Sequence, residues 1–307
     1  MPASPSLRLG TRGSPLARWQ AEWVAARLSE HGVAVELVPI STQGDVTTGS
    51  LSEIGGQGLF TKEIQRALLN GEIDLAVHSL KDLPTEPVAG LTLGAVPERE
   101  SVGDVLVSHG IDSVDALPQH ARIGTGSTRR RAQLLHVRPD LQMLDIRGNV
   151  DTRLRKLDAG DFDAIVLAEA GLKRLGLGDR IVHVIPLATM LPAVGQGALG
   201  IEVRADDVAT RQAVAPLNDG ATRCAIDAER ALLATLRGGC MAPVGAWGRI
   251  EVDTLKLDGV VLSHDGARRL FAASQGEPDA AAALGEAVAE QLLAQGAAEL
   301  ISSARNP

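Results

Sequence analysis

A cysteine stands directly behind two glycines in Leu236-Arg237-Gly238-Gly239-Cys240, just past a long helical pattern. Glycines open backbone conformations closed to other residues and leave no side chain to crowd a neighbour, so a bulky group can reach a thiol held there. The plainer reading is a helix C-cap followed by a small buried cysteine, and the pentapeptide alone leaves both open. Arginines supply the context. Gly124-Thr125-Gly126-Ser127-Thr128-Arg129-Arg130-Arg131 reads as a small-residue turn opening a helix, where free N–H groups and the helix dipole attract anions. Cations are disfavoured at such an end, so arginines gathered there point to an anionic ligand, which guanidinium grips bidentately. The alternative is a solvated basic helix end. The turn is not a Walker loop, because the Gly-Lys-Ser/Thr ending is missing.

The same scheme recurs. Asp145-Ile146-Arg147-Gly148-Asn149-Val150-Asp151-Thr152-Arg153 carries Arg147 and Arg153 into a helix start. Thr11-Arg12-Gly13-Ser14-Pro15 does so with Arg12 and Ser14, the serine doubling as N-cap. His78-Ser79-Leu80-Lys81-Asp82-Leu83-Pro84 sets a carboxylate beside a lysine. Asp82 suits the stabilising of a developing cation or the moving of a proton. A surface Asp-Lys turn before a proline is the competing reading, and His78 reads as a packed strand-end histidine.

These turns need elements to carry them. Apolar strand patterns at residues 7–10, 33–40, 73–77, 91–96, 104–107, 121–123, 141–146, 163–167, 181–185 and 198–203 alternate with helical patterns near 15–31, 59–70, 128–137 and 150–157. Such alternation predicts parallel α/β sheets, in which ligands bind at strand carboxyl ends, where every Arg-bearing turn falls. No internal repeat is apparent. Residues 41–58 form a polar, Gly-rich loop. From residue 222 the pattern changes to helix, strands near 244–250, 254–263 and 269–274, and an Ala-rich helix at 279–294, which predicts a small α+β domain. The turn His264-Asp265-Gly266 joins the last two strands as a hairpin.

Of 307 residues, 45% are hydrophobic but only 2% aromatic, so Leu, Val, Ile and Ala must build the cores. Few rings and a net charge of -8 argue against nucleic-acid and anionic-membrane partners. Cys224 and Cys240 make neither a disulfide framework nor a Cys-x-x-Cys metal pair, so no metal is expected. Neither a signal core nor a transit pattern opens the sequence, and no apolar run has membrane-spanning length, which sets the expectation of a soluble cytoplasmic protein.

Seven motifs then occur in order: Thr-Arg-x-Ser-Pro-Leu-Ala at 11–17, Gly-Leu-Phe-Thr-Lys-Glu at 58–63, His-Ser-Leu-Lys-Asp-Leu-Pro at 78–84, Arg-Arg at 129–130, Arg-Gly-Asn-Val at 147–150, Leu-Pro-Ala-Val-Gly-Gln-Gly at 191–197 and Gly-Gly-Cys at 238–240. In this the chain resembles the porphobilinogen deaminases, also called hydroxymethylbilane synthases. The resemblance implies an α/β fold of two domains like type II periplasmic binding proteins plus a small α+β C-terminal domain. Domain 1 takes 1–97 and 198–216, domain 2 takes 103–191 and domain 3 takes 220–307, with hinges near 98–102 and 192–197. It implies a transferase of porphyrin biosynthesis, acting as a cytoplasmic monomer on the small molecule porphobilinogen. It also implies a dipyrromethane cofactor attached by a thioether to Cys240. Four porphobilinogens add head to tail with loss of ammonia, and water releases the linear tetrapyrrole.

The family role of cation stabiliser falls on Asp82. The growing chain is a polycarboxylate, which accounts for Arg12, Arg129, Arg130, Arg147 and Arg153, with Ser14, Lys81, Thr125 and Ser127 as further donors. Cys224 only packs. Many relatives have a basic residue in Gly-Gly-x-Gly-Leu-Phe where this chain has Gln57, which leaves Phe60 and Lys62 as candidates for contacts of a lid at 44–58. A non-catalytic carboxylate-binding protein would use the same arginine turns but has no need of Gly-Gly-Cys. A cysteine hydrolase would want a histidine oriented toward Cys240, and none lies near it in sequence.

Overall fold

The computed structural model describes residues 6–41, 61–238 and 242–305. Gln57, Phe60 and Cys240 lie outside them. The first strands are β1 (Leu7–Thr11), β2 (Val35–Pro39), β3 (Leu75–Ser79) and β4 (Leu91–Ala95). Next come β5 (Asp104–Ser108), β6 (Arg122–Gly124), β7 (Gln142–Leu144), β8 (Ala164–Ala168) and β9 (His183–Val184). The last are β10 (Leu199–Arg204), β11 (Val244–Glu251), β12 (Thr254–Leu262) and β13 (Arg269–Gly276). The helices used below are α1 (Pro15–Glu30), α2 (Lys62–Leu69), α3 (Thr128–Val137), α4 (Val150–Asp158), α5 (Glu169–Arg174), α6 (Val208–Val214), α7 (Gly220–Thr235), α8 (Ala281–Ala294) and α9 (Ala297–Arg305). The chain forms two compact units, Met1–Arg99 with Ala198–Arg223, and Glu100–Gly197 with Cys224–Pro307.

The first unit holds a sheet in the order β2-β1-β3-β10-β4. β1 runs parallel to β2 and β3, and β10 runs antiparallel to β3 and β4. One face is covered by α1, whose Ala21, Val24 and Leu28 recur at helical spacing and pack on Leu9, Leu75 and Val77. Val24 and Leu28 are fully buried, each worth about 1.5–3 kcal/mol. The other face is covered by α2, through Ile64 and Leu68 on Ile73 and Ala76.

The second unit repeats this plan. Its large sheet has the order β7-β6-β8-β5-β9, with β6 parallel to β7 and β8, and β5 antiparallel to β8 and β9. Both sheets are therefore mixed rather than purely parallel, because in each one strand runs against the others. Matching devices mark the duplication. Arg8 N–H donates to Asp74 Oδ2 at 2.8 Å and its Nη2 to Gly71 O at 2.7 Å; Arg122 N–H donates to Asp163 Oδ2 at 2.7 Å and its Nη2 to Gly160 O at 3.1 Å. The sequence carries the signal in Arg8-Leu9-Gly10-Thr11 against Arg122-Ile123-Gly124-Thr125, and in Gly71-Glu72-Ile73-Asp74 against Gly160-Asp161-Phe162-Asp163. Substitution at most intervening positions hides it from a plain scan for repeats.

The rest of the second unit is an antiparallel sheet β11-β12-β13. One of its faces packs on α7, α8 and α9 through Leu232, Val288, Leu292 and Leu300. Val260 and Leu262 instead pack on Ala132 of α3 and on Leu191. The expected β12–β13 hairpin is present, and its Gly266, with φ at 73°, lets the turn press on α3, where Gly266 O accepts from His136 Nδ1 at 2.9 Å. Helices α5, α6 and α9 escape the sequence reading, α5 and α6 because fewer than eight residues give almost no periodicity.

Candidate active site

In the first unit the carboxyl ends of β1 and β3 are neighbours, since the two strands pair in parallel. β1 runs into the turn carrying Arg12, which is half-buried. Ser14 Oγ accepts from Ala17 N–H at 3.3 Å, and Pro15 takes the first helical position, where no N–H is needed. β3 ends at Ser79, and one 3-10 turn, Leu80–Asp82, brings Lys81 and Asp82 to the surface. Leu80 and Leu83 are buried on either side of the exposed pair and fix it. Gln20 Nε2 of α1 donates to Ser79 Oγ at 2.8 Å, tying the Arg12 turn to the Asp82 turn. The structure thus brings Arg12, Ser14, Lys81 and Asp82 to one edge of one sheet. Lys62 is exposed at the start of α2.

In the second unit Ser127 caps α3, its Oγ accepting from Arg130 N–H at 3.4 Å, while Ser127 N–H donates to Thr125 Oγ1 at 3.2 Å. Asn149 caps α4 through Thr152 N–H at 2.9 Å. The two turns touch: a Cβ at Gly126 would come within 3.1 Å of Ile146 O and 3.7 Å of Arg147 Nη1. Arg147 is partly exposed and its Nη2 lies 3.6 Å from Asp145 Oδ2, a loose pair. Arg153 Nε donates to Gly148 O at 2.8 Å, which turns its guanidinium toward the same loop. Gly148, with φ at 108°, makes that loop possible.

Arg129 and Arg130 differ from the expectation of open carboxylate donors. Both are buried on Asp104, the first residue of β5. Arg129 Nη1 lies 2.6 Å from Asp104 Oδ2, and Arg130 Nε and Nη2 lie 2.9 and 2.8 Å from Oδ1. Gln196 Nε2 adds a third contact to Asp104 at 3.0 Å and also donates to Val102 O and Gly103 O. Burial works to raise the Asp104 carboxyl, and the two guanidiniums override it, holding it at about 2. Burial lowers Arg130, with Asp104 opposing. This anchor accounts for arginines at a helix N-terminus: their charge is met inside the protein. Sequence reasoning missed Asp104 and Gln196. The available signal was a carboxylate opening an otherwise apolar strand.

Cys224 is half-buried against the core of the small sheet, as expected for a packing residue. No helix among the described residues is long and apolar enough to cross a membrane.

Fold and site together define an α/β protein with duplicated mixed sheets, whose strand ends present guanidinium and hydroxyl donors and the exposed carboxylate of Asp82. Residues 7–212 match the family model described as porphobilinogen deaminase, dipyromethane cofactor binding domain, and residues 223–294 match porphobilinogen deaminase, C-terminal domain. A porphobilinogen deaminase from Geobacter metallireducens is 50% identical over 303 residues, covering 98% of this chain and 95% of the relative. One from Desulforudis audaxviator is 52% identical over 300 residues, 97% of each. A solved putative periplasmic sulfonate-binding protein from Methylobacillus flagellatus is 16% identical and aligns over 77% of this chain and 69% of its own, with a TM-score of 0.41. The chain belongs to the porphobilinogen deaminase family.

The residues present fit a dipyrromethane, which bears four carboxylates. Arg129 Nε is buried with no hydrogen-bond partner among the described residues, an unsatisfied donor beside the Ser127 turn. Among the described residues, Arg147 is held only by the loose contact with an Asp145 that is itself largely exposed.

Proposed function

We propose that Asp82 is the catalytic carboxylate and that Cys240 carries the dipyrromethane through a thioether. The activity is hydroxymethylbilane synthesis: four porphobilinogens are joined head to tail on the cofactor, each losing ammonia, and water frees the linear tetrapyrrole. When bound, the dipyrromethane supplies the pyrrole carbon that takes the first unit, and each later unit is joined to the ring added before it. This chain's residues do the rest. Arg12, Ser14 and Lys81 in the first unit, and Thr125, Ser127, Arg147 and Arg153 in the second, hold acetate and propionate groups by charge-assisted hydrogen bonds. Arg129 offers Nε, while Arg129 and Arg130 together, locked by Asp104, keep the Ser127 turn in place. As ammonia leaves, positive charge spreads over the substrate pyrrole, and Asp82, fixed by buried leucines on both sides, stabilises it without having to move.

The observation carrying the Asp82 assignment is that the carboxylate is exposed at a strand carboxyl end beside the Arg12 turn. A three-domain division with hinges near 98–102 and 192–197 is supported by the separate β11-β12-β13 sheet and by the family match at 223–294. The reading includes a cytoplasmic monomer, for which the family resemblance is the support.

Intact-protein mass tests the attachment. The active protein is expected to carry the added mass of two deaminated porphobilinogen units, lost in Cys240→Ser. An unmodified mass in active protein refutes it.

A further inference from the structure

Beneath the Asp82 turn lies a chain of buried polar side chains for which the reaction as described has no use. His78 Nε2 is 3.0 Å from Glu202 Oε2, and Gln65 Nε2 donates to Glu202 Oε1 at 3.0 Å. Gln65 is on α2, Glu202 on β10 and His78 on β3, four residues before Asp82; all are buried. A carboxylate inside a central strand is costly, and replacing such a network by apolar side chains of similar size is often neutral or stabilising.

The duplicated sheet shows that the fold does not need it. Aligning Asp74 with Asp163 places Gln65 opposite Leu154 and His78 opposite Leu167. Glu202 pairs with Ala76 as Val107 pairs with Ile165, the residue equivalent to Ala76. Leu154, Val107 and Leu167 are packed together in one apolar cluster. The same three positions are thus apolar in the sheet whose β8 leads into a plain helix, and polar in the sheet whose β3 leads into Lys81 and Asp82.

We propose that Glu202 is a positioning residue. By holding His78 and Gln65 through directional hydrogen bonds, it sets the exit of β3 and so the placement of the Asp82 carboxylate. Apolar packing fills the same space but does not fix orientation as closely. The inference rests on the Asp82 reading above.

The test installs the sister trio, Gln65→Leu, His78→Leu and Glu202→Val, in the full chain. The expected result is a kcat at least about tenfold lower, KM within about twofold, an unchanged covalent mass and a denaturation midpoint no lower than wild type. Glu202→Gln, which keeps shape and one acceptor, recovers most of the turnover. Normal kcat in the folded trio variant overturns the proposal, as does a fall that merely tracks a lower midpoint or lost cofactor, or one that appears in KM alone. Should the trio variant not fold, Gln65→Leu carries the same kcat-against-KM readout, with Glu202→Gln as its conservative control. Asp82→Asn is measured alongside: normal turnover there overturns the Asp82 reading, whereas collapse there with a normal trio variant overturns only the role of Glu202.

Discussion

Asp104→Asn should loosen the second unit more than an isosteric change normally does. The carboxylate is 0% exposed, and it faces two guanidiniums that are themselves buried. Two routes bound the magnitude. Protonation is the gentler perturbation: a fall from 3.8 to about 2 means that the charged form gains about 2 kcal/mol on folding. Asparagine is harsher, because its amide turns a donor toward donors while two buried cations lose their counter-charge; breaking a buried pair costs about 3–5 kcal/mol. The expected loss is therefore about 3–5 kcal/mol. The chain has several domains, so a midpoint alone does not say which of them has loosened. Amide hydrogen exchange over β5 and α3 reads the loss locally, as a fall in opening free energy of that size. Adding Arg129→Met to Asp104→Asn removes one stranded cation and should restore part of it. If exchange in Asp104→Asn stays within about 0.5 kcal/mol of wild type, the guanidiniums are solvated and the anchor is not what holds the Ser127 turn.

Three other outcomes are expected. Asp82→Asn should leave the fold intact, since the side chain is exposed, and lower kcat by about 10²-fold or more, measured by release of the linear tetrapyrrole; near-normal turnover removes Asp82 from its role. On acidification the second unit should lose stability as pH falls from about 4 through about 2. Asp104 is held below its unfolded value, so its contribution is fully present above the unfolded value and is lost as the folded carboxyl protonates; exchange rates on β5 that stay flat over that window contradict it. Val252→Asn with Asp253→Gly should stabilise the β11–β12 hairpin by roughly 1 kcal/mol, because both residues sit at positive φ, 48° and 60°, and Val252 is 95% exposed with no packing to lose. An unchanged or lowered denaturation midpoint counts against it.

Strand–helix alternation, the N-cap at Ser14 and the α+β tail were legible because periodicity and capping are local signals. The burial of Arg129 and Arg130 was not, because their counter-ion stands 25 and 26 residues upstream, on a strand that only the folded sheet brings beside α3. Asp104 looked like the polar start of a strand. The Gln65–Glu202–His78 chain was hidden for the same reason, at separations of 137 and 124 residues. A sequence pattern records which residues alternate, not which partner each polar residue will meet. Long-range pairing of buried charge is therefore the class of feature that such reading misses.

Duplication supplies what the pattern lacks, an internal control within one chain. Arg8 with Asp74 and Arg122 with Asp163 keep the same chemistry in both copies, each arginine also bonding the carbonyl of a positive-φ glycine, so these pairs belong to the fold. Where the copies diverge, the requirement is local to one of them. After β3 stand Lys81 and Asp82; at the matching positions after β8 stand Ala170 and Gly171. Under β3 lie His78, Glu202 and Gln65; under β8 lie Leu167, Val107 and Leu154. Asp104 anchors arginines at the start of β5, whereas Leu199 holds the corresponding place on β10. The first copy has its polar residues under the Lys81-Asp82 turn, the second under a cationic helix start. The proposed catalytic carboxylate and the arginine-bearing helix start thus stand on different copies of one sheet plan, each with its own buried support.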